Sequence, residues 1–287
     1  MDTAIQWGDF TTSAHDYSQR PPHSPELLRT LAAGLRIEQK RRHVVDLCAG
    51  TGNLTATLAA LNLKGWAVEP EAVMRDEALR LHRGDDLFEW CCGTAEESGL
   101  NNESASWILI GNAFQFLDAQ RTLKECNRIL RPGGFLTVLW NPRDLRVDAF
   151  QRSVDELVRA SSTAITQTFT NAEKTVEPIG TSPYFVPFIY CDCVDWHEIS
   201  PETFMATWRS AHYVPSQIGR TAWLALLEDI SARVSSVRSL RTAWRTRAWT
   251  YKVTKAEDPA GQGLNGLSPA GRWTLPLLGG DCVAQVS

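Results

Sequence analysis

Two glycines, Gly50 and Gly52, interrupt the stretch VVDLCAGTGNLT at residues 44–55. Before them runs the buried-type segment Val44, Val45, Asp46, Leu47, and after them Leu54, Thr55 and Leu58 recur at helical spacing. That order is strand, tight turn, helix. Such a junction offers backbone N–H groups and the positive end of a helix to a polar or anionic ligand that comes close to the chain. The next apolar run, GWAVEP, reaches Glu69, and a carboxylate there can accept both hydroxyls of a ribose. The loop reads Gly50-Thr51-Gly52-Asn53-Leu54-Thr55, without a third glycine for close helix packing, which argues against a nicotinamide or flavin dinucleotide. Taken alone, the loop is also compatible with a tight turn that holds no ligand.

The elements that must position these residues follow a regular rhythm. Residues 43–140 alternate short β-like runs with amphipathic segments, as βα units around a mostly parallel sheet do. Strands are predicted at 43–48, 65–69, 87–92, 105–111 and 135–140. Between the last two, Leu123, Cys126, Ile129 and Leu130 share one helical face, and the RPGG stretch at 131–134 ends that helix. In a doubly wound sheet of this kind, ligands sit outside the carboxyl ends of the strands. From about 148 the rhythm breaks. AFQRSVDELVRA reads as a helix, ITQTFTNAEKTVEPIGTSP as a polar connection, and YFVPFIYCDCVDW as an apolar and aromatic run. Helical stretches follow at 201–210 and 221–240, then a β-like run, RAWTYKV. Residues 254–287 are rich in glycine and proline without a sustained period, and read as irregular.

A chain of 287 residues can bury a sizeable core in one large domain with an insertion. A net charge of -4 gives no global attraction to nucleic acid or to an anionic membrane, so neither is expected as a partner. The arginines at 233, 238, 241, 245 and 247 read as a solvated helix face. Seven cysteines, an odd number and several within apolar runs, read as reduced, buried thiols of a cytoplasmic protein. The first ten residues have neither the basic start nor the apolar core of a signal peptide, and no run of about 18 apolar residues occurs. In CDCVDWHE, Cys191, Cys193 and His197 could share an ion, but zinc sites space their cysteines differently and recruit a second pair, so no metal is expected.

The loop does not stand alone. VVDLCAGTGNLT, AVEP with Met74 shortly after it, GTAEESGL at 93–100, NAFQFLD at 112–118 and ILRPGGFLTVLWN at 129–141 fall in a fixed order and spacing. Together they resemble the class I S-adenosylmethionine-dependent methyltransferases, most closely the small-molecule branch called methyltransferase type 11. HDYSQRPPHSPELLRTLA resembles that branch's lead-in, and WRSAHYV at 208–214 its substrate-side segment. The resemblance implies a seven-stranded, mostly parallel, Rossmann-like doubly wound α/β sheet. Residues 1–42 would form an N-terminal lid, 43–147 the cofactor-binding core, 148–253 the substrate-side helices and closing strands of the same domain, and 254–287 an irregular tail.

The resemblance also implies roles. Asp46, Cys48, Ala49, Gly50 and Gly52 would meet the amino-acid end of S-adenosyl-L-methionine, Glu69 its ribose, and Met74 its adenine. Thr94, Ala95 and Glu96 match the segment that closes over the adenine edge. Asn112 and Ala113 match the strand end beneath the reactive sulfonium, and Tyr17 and Arg20 the lead-in residues that cover the cofactor. Two departures stand out. Cys48 occupies the place of the loop's usual first glycine, and Gln115 stands where many relatives carry a histidine. A glutamine can hydrogen-bond a substrate but cannot act as a base near neutral pH. Gln115, His15 and His212 are the candidate catalytic residues, with His23, His197 and Glu198 as further sources of a base. The expected activity is methylation of a small organic molecule, with a carboxylate or a specialised metabolite as candidate acceptors. A cyclisation or rearrangement without methyl transfer, and a non-catalytic binding protein, are the alternatives. Oligomeric state is left open.

Overall fold

A computed structural model describes residues 13–37, 44–162, 172–211, 213–255 and 282–286. Its sheet grows from the apolar runs of the sequence, which become β1 (Val44–Leu47), β2 (Gly65–Val68), β3 (Phe88–Cys91), β4 (Ala105–Gly111) and β5 (Leu130–Trp140). These five pair in parallel, β3 on β2, β2 on β1, β1 on β4 and β4 on β5. β6 (Phe185–Ile199), β7 (Leu240–Val253) and β8 (Cys282–Val286) complete the order β3-β2-β1-β4-β5-β7-β6-β8. β7 pairs antiparallel with β5, and β8 antiparallel with β6. The sheet thus has eight strands among the described residues, one more than the expected seven.

Alternation along the strands sends side chains to two layers. Val44, Trp107 and Leu109 pack on one face with α2 (Pro25–Gly34) and α3 (Asn53–Ala60), through Leu27, Leu28, Leu31, Leu54 and Leu58. Val45, Leu47, Ile108 and Ile110 pack on the other with α5 (Ala119–Ile129) and α7 (Ala172–Gly180), through Leu123, Cys126, Ile129, Val176 and Ile179. α4 (Ala72–Leu81) links β2 to β3. The helices start where the sequence supplies caps: Ser24 accepts from the Leu27 N–H with Pro25 in the first turn, and Asp118 accepts from the Arg121 N–H.

The chain divides into two compact units. The first comprises Pro22–Asn141, Ala172–Val194 and Thr246–Ser287 and holds both core layers above. The second comprises Met1–Pro21, Pro142–Asn171 and Asp195–Arg245. Its helices are α1 (Ala14–Ser18), α6 (Ala149–Ala160), α8 (Pro201–Arg209), α9 (Pro215–Ile218) and α10 (Arg220–Val234). Of these, α6, α8 and α10 share a core of Val154, Val158, Phe204, Trp208, Trp223 and Ile230. Buried Asp148 caps α6 and also accepts from Gln151 Nε2 and the Ala243 N–H, fastening the helix to β7.

Three expectations need correction. The polar stretch at 165–183 contains α7 over its described part, because Val176 and Ile179 present an apolar face that outweighs the internal Pro178. The tail expected to be irregular contains β8, which finds its partner in β6. Cys193 and Cys282 are joined in a disulfide rather than reduced, since the register of those strands sets them opposite each other. Among the described residues no helix is long and apolar enough to cross a membrane.

Candidate functional site

The carboxyl ends of β1, β2 and β4 bring the sequence-derived residues of the first unit together. Asp46 is buried in β1, and its carboxylate accepts from Thr55 Oγ1 at 2.5 Å. The chain then turns through three left-handed positions, Cys48 (φ 63°), Gly50 (φ 58°) and Gly52 (φ 83°). Two are glycines, for which that region carries no side-chain penalty. Cys48 is not, and carries about 1 kcal/mol or more of local strain. Burial, followed by the charges of Glu69, Asp46 and Glu96, pushes its thiol well above the ordinary range, so it is a packing group rather than a nucleophile.

Glu69 lies just beyond β2 and is buried. Its Oε2 accepts from the Gly50 N–H at 2.8 Å and its Oε1 from the Glu71 N–H at 3.0 Å. The acid therefore ties the glycine loop to the end of the neighbouring strand, and each oxygen keeps a lone pair for a further donor. Burial raises its pKa, partly opposed by those N–H bonds. On its other side the loop rests on His82, whose Nε2 lies 3.2 Å from the Thr51 carbonyl. A Cβ on Gly52 would come within 2.8 Å of the His82 ring and 3.1 Å of Trp90. Gly52 is thus required by its φ and by its neighbours together.

Met74, in α4, and Ala95 are both buried. Thr94 is exposed and accepts from the Glu97 N–H through Oγ1. Glu96 is not free, because its Oε1 accepts from the Asp118 N–H at 3.1 Å at the start of α5. At the end of β4, Asn112 takes a left-handed φ of 56° and directs its side chain into a network. Its Oδ1 accepts from the Asn141 N–H, and its Nδ2 lies 3.4 Å from His23 Nε2. Asn141 Nδ2 donates to the Pro22 carbonyl, and Thr246 Oγ1 links Asn141 Oδ1 to the Ser24 N–H. Ala113 leads into a 3₁₀ turn, Phe114–Phe116, in which Gln115 Nε2 donates to the Asn112 carbonyl at 2.9 Å.

Arg20, Tyr17 and His15 belong to the second unit. Arg20 lies over the Tyr17 ring and donates to Ser210 Oγ and the Ser210 carbonyl. His15 is exposed, and His212 lies outside the described residues. Among the residues the motifs did not single out for this site are His82, Asn141 and Thr246. His82 meets the loop only through the β1–β2–β3 register, and no sequence spacing signals it.

The two buried titrating groups set opposite pH limits. Burial, with Glu69's charge adding, pushes Asp46 up to about 7, so its contribution to stability is present below the unfolded value near 4 and is lost as pH rises through 7. Burial lowers His23 to about 4, so its contribution is complete above about 6.5 and is lost as pH falls toward 4. Asp46→Asn, which keeps an acceptor for Thr55, is expected to raise the melting temperature by several degrees at pH 8 and by roughly a third as much at pH 5. The charge removed costs up to about 4 kcal/mol. Equal shifts at the two pH values in thermal denaturation would contradict this assignment.

A glycine turn after β1, an acid after β2 and the end of β4 lie at the carboxyl edge of the parallel strands, the edge at which doubly wound α/β proteins bind their ligands. Comparison with known proteins gives likenesses to methyltransferases. Residues 45–138 match the family described as "Methyltransferase domain". An uncharacterized methyltransferase of Mycobacterium tuberculosis is 36% identical over 139 residues, which is 48% of this chain and 54% of the relative. A malonyl-[acyl-carrier protein] O-methyltransferase of Methylococcus capsulatus is 33% identical over 174 residues, 53% of this chain and 62% of that one. The chain spans about half the length of the first of these. An inferred type II methyltransferase of Anaeromyxobacter dehalogenans shares the fold, with a TM-score of 0.57 at 20% identity over 80% of this chain and 97% of that one. Residues 45–138 therefore carry the match to the methyltransferase domain, and the likeness to the solved structure shows a shared fold.

Proposed function

We propose that the protein transfers a methyl group from S-adenosylmethionine to a small organic molecule. The observation that carries this reading is the Gly50–Glu69 junction. A buried carboxylate, held open by two backbone N–H groups beside a glycine turn, suits a ribose diol. The residues present fit the cofactor in a further respect. His23 Nδ1 and Gln115 Oε1 are both buried polar atoms without a hydrogen-bond partner among the described residues. Buried polar groups are ordinarily paired, so atoms left open mark a place for a ligand.

When bound, S-adenosylmethionine supplies an electrophilic methyl group on a good leaving group. The protein's own contribution is then orientation and exclusion of water. Glu69 holds the ribose, the loop at 48–52 and the Asp46 side receive the amino-acid end, and Met74 and Ala95 pack near the base. Glu96 already accepts at the start of α5, so it shapes this edge from there. Gln115, tied to the Asn112 carbonyl, orients rather than deprotonates.

The second unit, taken by itself, holds a buried cation that suits an anionic ligand. Arg143 stacks 3.9 Å from the Trp208 ring and donates to Thr207 Oγ1 and the Thr207 carbonyl. Its Nε is buried without a hydrogen-bond partner among the described residues, and burial lowers its pKa to about 10. No carboxylate among the described residues lies within ion-pair distance of it. A desolvated guanidinium of this kind favours a carboxylate-bearing ligand. Small carboxylic acids are therefore the first compounds to screen. Incubation with S-adenosylmethionine is expected to yield S-adenosylhomocysteine together with a product heavier than its acceptor by one CH2, read by mass spectrometry. A product of unchanged mass would contradict methyl transfer.

A further inference from the structure

His23 stands immediately before α2 and is 5% exposed. It lies against the end of β4: a Cβ on Gly111 would meet His23 Cε1 at 3.0 Å, and Leu54 of α3 at 3.1 Å. The ring thus borders the strand end beside Asn112, and Leu54, in the first turn of the helix that begins at the glycine loop, approaches the same Gly111 position. Its orientation is chemically defined. Asn112 Oδ1 accepts from the Asn141 N–H, so Asn112 presents its Nδ2 to the ring, and His23 Nε2 is the acceptor. Burial keeps the imidazole neutral at pH 7. A neutral ring that accepts at Nε2 carries its proton on Nδ1, and that N–H is a buried donor with no partner among the described residues.

Gln115 is the counterpart. Its Nε2 donates to the Asn112 carbonyl, which leaves Oε1 as a buried acceptor, also without a partner among the described residues. One open donor and one open acceptor are therefore both anchored to Asn112. That pair complements a zwitterion, which brings a carboxylate to the donor and an ammonium to the acceptor.

We propose that His23 Nδ1–H donates to the α-carboxylate of S-adenosylmethionine while Gln115 Oε1 accepts from its α-ammonium. His23 thereby becomes a cofactor-binding residue that the family motif did not indicate. The assignment rests on the methyltransferase reading and goes beyond it by giving the cofactor's amino-acid end specific side-chain partners. A hydrogen bond to a charged group contributes enough for about a tenfold effect on affinity or more.

The test compares S-adenosylhomocysteine with 5′-methylthioadenosine, which lacks the amino-acid end, by calorimetric titration of three proteins. His23→Gln keeps a side-chain acceptor for Asn112 but has no donor at the Nδ1 position. It should lose about tenfold in affinity for S-adenosylhomocysteine and stay within about twofold for methylthioadenosine. His23→Asn places an amide N–H close to the Nδ1 position and should retain most of the affinity for both. In the wild type, 15N spectra of the imidazole should show the neutral Nδ1–H form, with a resonance that moves on adding S-adenosylhomocysteine and not methylthioadenosine. An unchanged affinity of His23→Gln for S-adenosylhomocysteine, or an equal loss for both ligands, would overturn the His23 assignment alone. Absence of binding by the wild type would overturn the underlying reading as well.

Discussion

Glu69→Ala is expected to abolish measurable binding of S-adenosylhomocysteine while leaving the protein folded. In the folded chain the Glu69 carboxylate accepts from the Gly50 and Glu71 N–H groups at 2.8 and 3.0 Å. In the proposed complex it accepts the ribose hydroxyls in addition. Each hydrogen bond to a charged group contributes about 1.5–3 kcal/mol, so loss of two such bonds with the ligand amounts to a factor of about 100 or more. The same substitution removes the tie between the glycine loop and the end of β2, which adds a loss of preorganisation. Glu69→Gln, with one acceptor oxygen instead of two, should fall between wild type and alanine. Titration calorimetry measures the affinity, and circular dichroism shows that the fold persists. Wild-type affinity in Glu69→Ala would remove the ribose role from this residue.

Gly52→Val should combine a large loss of stability with loss of ligand binding. A side chain there must adopt φ 83° and meets the His82 ring at 2.8 Å and Trp90 at 3.1 Å. Left-handed backbone costs about 1–2 kcal/mol and overpacking about 1–3 kcal/mol, for a total of about 2–5 kcal/mol. The two costs separate experimentally. Gly52→Ala combined with His82→Ala relieves the collision with the ring and leaves the backbone strain, so the pair should be less destabilised than the sum of the single variants. Additive losses in urea denaturation would show that His82 does not limit the space at Gly52.

Much of this fold is legible in the sequence because the signals are local. Runs such as Val44–Leu47 and Ala105–Gly111 alternate between two buried layers, and Asp118 marks the start of α5 by its capping side chain. The glycine loop and Glu69 were legible for the same reason, since strand, turn and acid follow one another along the chain. What escaped depends on long-range pairing. β8 and the Cys193–Cys282 bond exist only through the register with β6. α7 hides in a polar stretch because only Val176 and Ile179 reveal its buried side. The Asn112 network is invisible for a further reason: His23, Asn141 and Thr246 come from three distant segments, joined by hydrogen bonds that no periodicity records. At Cys48 the motif departs from glycine, yet the backbone keeps the left-handed turn that a glycine would supply.

The most direct test of the central claim is calorimetric titration of the intact wild-type protein with S-adenosylmethionine and with S-adenosylhomocysteine. One molecule of each per chain, bound at about micromolar affinity, is the expected result. Absence of binding by both ligands, from a protein shown to be folded, would contradict the assignment of the Gly50–Glu69 junction as a cofactor site.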